Sequence, residues 1–369
     1  MKFTCNTNEL SFICQNVQRA ASTKTAIPSI ECILIVAENN SLTLTGYDLE
    51  MGITTTIAAR VEEPGELVLN AHMFSETLRK LPGDTVEIYS DEKKIATISS
   101  GEFQSNLIGI SAEDYPDLPS VSGGYPVTVH QNVLKDMIRK TIFSVAVKDS
   151  KIVHTGIKFE ADNHHLRLIA VDGVRLAIRN ENIDYDGEPL SFVVPAKTLS
   201  EVVKLAGDDD ADVSIGVGKR HIVFDLNGYR IISRLLDGEF LNYKAAIPSA
   251  VKTTVKVDTR RLIESIDRTS LIITDKIKSP VKCVISDGMI KMSSITSLGT
   301  ANDRIPAAIE GDECTVGFNN KYMLEALKAC DDDEVRILLN GPLAPILIVP
   351  NAGDHYIFLI LPVRLKNED

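Results

Sequence analysis

Several groups of residues in this chain have types and spacings that chemistry can use. His164-His165 offers two imidazoles to a metal, but no cysteine or carboxylate follows at ligand spacing, and a turn between strands accounts better for the pair. Gly216-Val217-Gly218-Lys219 has the glycines and lysine of a phosphate-cradling loop. It lacks the full eight-residue pattern and the following helix, so it reads as a hairpin turn. Asp208-Asp209-Asp210 and Asp331-Asp332-Asp333 are carboxylate runs of the kind that bind a divalent cation. Asp48 and Asp172 are candidates for an acid or base at an enzyme site. No G-x-S-x-G nucleophile motif is present. The six cysteines, Cys5, Cys14, Cys32, Cys283, Cys314 and Cys330, show no C-x-x-C spacing, which predicts buried reduced thiols.

The elements that must position these residues repeat three times. Leu67 to Asn70 leads into Ala71 to Leu81, Phe192 to Pro195 into Ala196 to Leu205, and Val316 to Asn319 into Asn320 to Lys328. Glu76, Glu201 and Glu325 are separated by 125 and 124 residues, and Asp48 precedes Asp172 by 124. The 369 residues therefore divide into three units of about 123. Pro116 to Pro119 and Ile247 to Ser249 punctuate the joints, which predicts domains at 1–122, 125–249 and 251–369. Both acidic runs recur after equivalent helices, so solvated connectors are expected there. Asp48 and Asp172 recur too, which suits a structural turn better than a unique acid–base site; an enzyme active at a repeat junction remains the alternative.

Each unit reads as helix, strands, helix, strands. Helical periodicity covers Asn8 to Ala21, Gln131 to Ala146 and Asp258 to Ile273. In the second, Leu134, Ile138, Ile142 and Val145 form an apolar stripe, with Asn132, Lys135, Asp136, Arg139 and Lys140 expected on the opposite face. Six helices and many short strands predict an α+β class with helices packed on one face of antiparallel sheets.

Composition is that of a globular chain, 44% hydrophobic and 24% charged, with no apolar run long enough to span a membrane. Met1 to Asn6 lacks an apolar signal core, so a cytoplasmic protein is expected. The net charge of −12 argues at first against nucleic acid. Its distribution argues otherwise: six helical segments carry +6 together, leaving −18 elsewhere. A diffuse basic lining without aromatic platforms or a recognition helix would hold a phosphate backbone without reading its sequence. The basic candidates are Lys24, Arg79, Lys135, Arg139, Lys140, Lys148, Lys197, Lys204, Lys321 and Lys328.

Met1 to Thr4, Leu44 to Glu50, Val171 to Ala177, Leu236 to Phe240 and Leu361 to Leu365 resemble the bacterial sliding-clamp family, the β subunit of DNA polymerase III. The likeness runs the whole chain in order, triplication included. It implies a clamp fold of three similar domains and a head-to-tail homodimeric ring, with helices lining the hole and sheets outside. Twelve helices at ~10 Å spacing give a circle of ~38 Å between axes and a hole of ~28 Å, enough for a duplex ~20 Å across. The resemblance also implies no catalysis, metal or cofactor. Implied partners are encircled duplex DNA, the polymerase III α subunit, the clamp loader, repair polymerases and mismatch-repair proteins, the proteins arriving through short linear motifs.

Carried over by position, the family's peptide groove falls on Val171, Gly173, Val174, Arg175, Leu176, Leu241, Ala246, Asn319, Tyr322, Leu343, Leu359, Leu361, Pro362, Val363 and Arg364. Leu176, Leu241, Leu359 and Leu361 are expected to accept an apolar side chain, and Arg175, Asn319 and Tyr322 to orient a peptide. The ring joint is implied at Leu107 of one subunit and Leu271 and Ile272 of the other. The chain departs from the family at His154, where an apolar groove residue is common, and at Ala245-Ala246, which replace a bulkier basic pair. Ser297 to Asp303 lacks the acidic cluster of some members, and Lys366 to Asp369 extend past the usual end.

Overall fold

The computed structural model describes residues 1–23, 25–121 and 126–365. Among them are six α-helices: α1 Thr7–Val17, α2 Ala71–Arg79, α3 Gln131–Ile142, α4 Ala196–Leu205, α5 Thr259–Thr269 and α6 Asn320–Lys328. Four begin under a side-chain cap of the type their sequence announces. Asn6 accepts from the Glu9 amide at 3.0 Å, Asn70 from Met73 at 3.0 Å, Asp258 from Arg261 at 2.7 Å and Asn319 from Lys321 at 2.9 Å.

Three helices stop short of the span that periodicity predicts. The first gives way after Val17 to a 3-10 turn, Gln18–Ala20. Beyond α3 the chain turns so that the Ala146 amide reaches the His154 carbonyl at 2.9 Å. At the end of α5 the Ser294 hydroxyl donates to the Thr269 carbonyl at 2.5 Å, capturing an acceptor that another helical turn would need.

The strands form four antiparallel sheets of five, eight, nine and four strands. By contact the chain forms two compact units, residues 1–135 with 197–235, and residues 136–196 with 236 onward. The first holds the five- and eight-stranded sheets. In its larger sheet, strand Met51–Ala58 of the first repeat pairs with Tyr229–Arg234 of the second, Gly52 opposite Ile232. Phe3, Leu10, Ile33, Leu44 and Phe74 are fully buried in this unit, and α1 packs on α2.

The second unit repeats the plan. Strand Arg175–Asn182 pairs with Tyr356–Ile360, Leu176 opposite Leu359, to build the nine-stranded sheet. Helices α5 and α6 pack together over a core that includes Leu262, Ile266, Phe318, Met323, Leu327 and Phe358. The predicted alternation is visible in strand Met289–Thr296, where Ile290 and Met292 are buried and Lys291 is exposed. No helix among the described residues is long and apolar enough to cross a membrane.

Candidate functional site

The nine-stranded sheet carries a strip of apolar side chains at the pairing of Arg175–Asn182 with Tyr356–Ile360. A tight turn leads into it: Asp172 Oδ1 accepts from the amides of Val174 at 3.2 Å and Arg175 at 3.1 Å, with Gly173 at φ +87°. That backbone favours glycine, and a side chain there would otherwise meet open space. The Leu361 amide then donates to the Val174 carbonyl at 2.9 Å, fixing these two residues side by side at the rim. Beneath them Val171, Leu176 and Leu359 are buried in one cluster with Ile169, Ile178, Tyr243 and Leu347.

Segment 236–247 lies over this floor. The Leu236 amide donates to the Val193 carbonyl at 2.9 Å, and the Tyr243 hydroxyl donates to Glu160 Oε2 at 2.7 Å. Lys158 stands 5.7 Å from the Phe240 ring and 5.8 Å from that of Tyr243. Burial would push the Glu160 carboxyl up, but hydrogen bonds from Lys158 and Tyr243 outweigh it and hold the group below its ordinary range.

The implied groove residues thus separate by role. Val174, Leu241, Leu343, Leu361 and Val363 are exposed, Leu343 at 64%, and Pro362 is half-buried beside them in sequence. Leu176 and Leu359 are floor residues, 1% and 3% exposed. Ala246 and Arg364 are exposed. The terminal segment is held by the Val363 amide, which donates to the Gly317 carbonyl at 2.8 Å. A Cβ on Gly317 would stand 2.6 Å from the Val363 carbonyl oxygen, so only glycine permits this approach.

Arg175 and Asn319 both have partners within the chain. Arg175 Nε donates to Asp172 at 2.7 Å, a second nitrogen pairs with Glu325, and the guanidinium lies 4.5 Å from the Tyr322 ring and 5.7 Å from Phe143. Its charge is paired within the chain and its guanidinium lies against two aromatic rings. Tyr322 supplies one of those rings. The Asn319 side-chain oxygen is spent on the α6 cap. Sequence reasoning missed Phe240, Tyr243 and Leu347 in the floor; the two aromatics in an otherwise loop-like segment were the available signal.

The basic candidates fall into three sets. Lys24 lies outside the described residues. Lys135 and Lys140, expected on the solvent face of α3, are buried at 9% and 6% exposure. Lys135 donates to the Ala206 carbonyl at 3.0 Å and Asp208 at 2.8 Å, and Lys140 pairs with Asp136 at 2.8 Å and with Asp331. Acidic turns distant in sequence meet both ammonium groups, which helical spacing alone does not reveal. Arg139, Lys148, Lys197, Lys204, Lys321, Lys328 and Arg79 are exposed. Several form pairs on the surface, Arg79 with Glu76 at 2.6 Å and Lys321 with Glu325 at 4.0 Å, for example. Such pairs are weak and readily exchanged. The zero net charge of segment 258–270 concealed Arg260 and Arg261, also exposed.

Two edge strands bear on the implied ring joint. Strand Phe103–Ile108 ends the five-stranded sheet, with Leu107 half-buried and Ile108 83% exposed. Strand Gly299–Pro306 ends the four-stranded sheet of the other unit. In that same unit Leu271 is 79% exposed after α5 and Ile272 is half-buried. Ile108 was not singled out from sequence; alternation along an edge strand does not say which face is covered.

The remaining chemical candidates have structural partners. Asp48 Oδ1 accepts from the Glu50 and Met51 amides at 3.0 and 2.7 Å, and its other oxygen meets Lys197. It is a turn residue like Asp172, which removes support from an acid–base site at a repeat junction. Asp209 accepts from Gln131 and the Ala211 amide, and Asp332 from the Tyr356 hydroxyl at 2.7 Å. His164 sits at φ +64° in the turn between two strands, 2.9 Å from Asp186. Five cysteines are buried and Cys330 is half-buried; burial pushes the Cys5, Cys14, Cys283 and Cys330 thiols up to about 12, so they are unreactive.

The chain is thus a triplicated α+β protein with an exposed apolar rim over a buried floor in its nine-stranded sheet. The DNA polymerase III beta subunit family matches in three consecutive parts: its N-terminal domain over residues 1–119, its central domain over 128–242 and its C-terminal domain over 244–364. The beta sliding clamp of Bacillus subtilis is 33% identical over 99% of this chain and 100% of its own, and that of Staphylococcus aureus 30% over 99% of each. The crystal structure of the Bacillus subtilis DNA polymerase sliding clamp superposes with a TM-score of 0.97, covering 99% of this chain and 100% of that one at 33% identity. That of a DNA polymerase III beta subunit from Eubacterium rectale gives 0.95 over 99% and 100%, at 34% identity. The chain belongs to the DNA polymerase III beta subunit, or beta sliding clamp, family and has its three-domain fold.

Proposed function

We propose that this protein is a sliding clamp, a non-catalytic processivity factor that encircles duplex DNA and tethers the replicative polymerase. The observation that carries this reading is the family match along all three parts of the chain, together with the apolar rim of Val174 and Leu361. Two chains closing head to tail would bring the edge strand Phe103–Ile108 of one against Gly299–Pro306 of the other, with Leu107 and Ile108 meeting Leu271 and Ile272. Unpaired strand edges and exposed apolar side chains favour such pairing. The three domains would fall at 1–122, 125–249 and 251–369, with Arg79, Arg139, Lys148, Lys197, Lys204, Lys321 and Lys328, and also Arg260 and Arg261, available to phosphates.

The groove partners would be the polymerase α subunit, the clamp loader, and repair polymerases and mismatch-repair proteins carrying short apolar motifs. Retention on DNA is the deciding experiment: the loaded protein stays on closed circles and slides off linear ends. Equal retention on both excludes a ring. Solution mass should be ~80 kDa, two chains of 40.4 kDa. Reversing Arg139 and Lys148 should weaken DNA association and flatten its salt dependence, whereas reversing buried Lys135 should unfold the protein before DNA is tested.

A further inference from the structure

Away from the rim and floor, the second unit has a cleft of about 650 Å³ on its four-stranded sheet, on the face turned from the core. Alternation builds it. Cys283 and Met292 turn into the core, which sends Lys282 and Ser293 to the opposite face, where the two pair across adjacent strands. On its other side Lys282 is opposite Gly317. With no side chain at that position the terminal segment can cross the row: a Cβ on Gly317 would stand 2.6 Å from the Val363 carbonyl oxygen and 2.7 Å from Leu365 Cδ2. Segment 277–280 makes the other wall, held by the Ser279 hydroxyl, which donates to the Ile295 carbonyl at 2.9 Å.

The lining is cationic in an acidic protein. Lys278, Lys282 and Arg364 line the cleft, and none of the described residues around it is a carboxylate, although the chain as a whole carries −12. Ser293 and Ser297 add hydroxyls. Such a surface suits a carboxylate-bearing segment of extended chain.

One such segment is already attached. Leu365, itself a lining residue, is followed by Lys366-Asn367-Glu368-Asp369, which lie outside the described residues. Four extended residues span roughly 13 Å. The tether keeps both carboxylates at an effective concentration of about a millimolar, so ion pairs that are weak one by one suffice to hold them.

We propose that residues 366–369 turn back into this cleft, Glu368 and Asp369 pairing with Lys278 and Lys282, and so latch the terminal segment to the sheet. That segment is then held twice, through the Val363 amide on the Gly317 carbonyl at 2.8 Å and through the acidic pair beyond it. The latch needs neither a ring nor DNA, and it stands or falls apart from the clamp reading.

Zero-length cross-linking of the full-length protein tests it. A water-soluble carbodiimide activates a carboxylate, and a lysine amine in contact displaces the urea to leave an amide. Peptide mass mapping should find Glu368 or Asp369 joined to Lys278 or Lys282, with a yield that falls about three-fold between low salt and about 0.5 M sodium chloride. Mixing unlabelled with ¹⁵N-labelled protein separates links within a chain from links between chains. Links spread over lysines away from the cleft, links between chains, or no link to either lysine overturns the latch. In the variant Glu368→Gln with Asp369→Asn, amide exchange followed by mass spectrometry should quicken about five-fold at 361–365 and stay as it is elsewhere. Lys278→Glu, at an exposed position, should act in the same direction. Unchanged exchange in both variants overturns the latch as well.

Discussion

The two repeat junctions share a backbone and differ in what they show to solvent. At the first, in the eight-stranded sheet, the Arg234 amide donates to the Glu50 carbonyl at 2.8 Å; at the second, the Leu361 amide donates to the Val174 carbonyl at 2.9 Å. The side chains on these equivalent bonds are an exposed ion pair in one case, Arg234 to Glu50 at 3.7 Å, and two exposed aliphatic groups in the other. Under the rim the contrast continues. Gly52 lies where Leu176 lies in the later repeat, and the linker residue Leu118 occupies the space: a Cβ on Gly52 would stand 2.6 Å from Leu118 Cδ2 and 3.0 Å from Ile232. The first junction is filled by its own chain and finished with charge. The second has a floor of larger side chains and an apolar rim left uncovered. Two rim positions and one floor position carry the contrast between the joints.

The sharpest way to break this contrast is to move the first rim onto the second. Val174→Glu with Leu361→Arg should reduce binding of a polymerase-derived peptide by 100-fold or more while leaving the dimer mass unchanged, measured by polarisation and light scattering. Leu361→Asp alone should act in the same direction. Persistent binding in either variant would put the peptide elsewhere. Next in size, Leu359→Ala should cost about 2–5 kcal/mol in urea unfolding, since it opens a cavity in the floor.

Gly52→Leu should cost about 1–3 kcal/mol through its collision with Leu118, and a neutral result would mean that the linker is not seated there. The converse transplant, Glu50→Val with Arg234→Leu, should change stability by less than about 1 kcal/mol. It should gain no peptide binding, because Leu118 still fills the space below. Smallest is the pH effect of Glu160. Its folded carboxyl titrates below its unfolded value, so its stabilising contribution is present above the unfolded pKa and fades as pH falls through the folded one. Thermal melts from neutral to acidic pH should show a slightly shallower decline for Glu160→Gln.

Much of the architecture was legible because it depends on local signals that recur. The three repeats and the turn roles of Asp48 and Asp172 follow from short segments compared with each other. What escaped was set by contacts distant in sequence. Lys135 reads as a surface residue until Ala206 and Asp208 arrive beside it, and Arg175 reads as a free cation until Glu325 and Tyr322 do. The floor escaped for the same reason: Tyr243 is anchored by Glu160, 83 residues earlier, and no periodicity links them. Long polar side chains are the least legible, since their stems bury while their heads find partners.

The strand partition bears on how such a chain can be divided. The stretch that recurs in the sequence is about 123 residues, yet the packing closes over 1–135 with 197–235 and over the rest. Cutting after the first repeat would strip Met51–Ala58 of its neighbour Tyr229–Arg234 and leave a raw edge in a half-sheet, an invitation to aggregate. The middle copy suffers more, because its strands are split between the two large sheets and it has no sheet to itself, whereas the first repeat holds the five-stranded sheet and the third the four-stranded one. What was multiplied in this lineage is therefore not what can be expressed alone. A soluble fragment has to be cut by its hydrogen bonds, not by its ancestry.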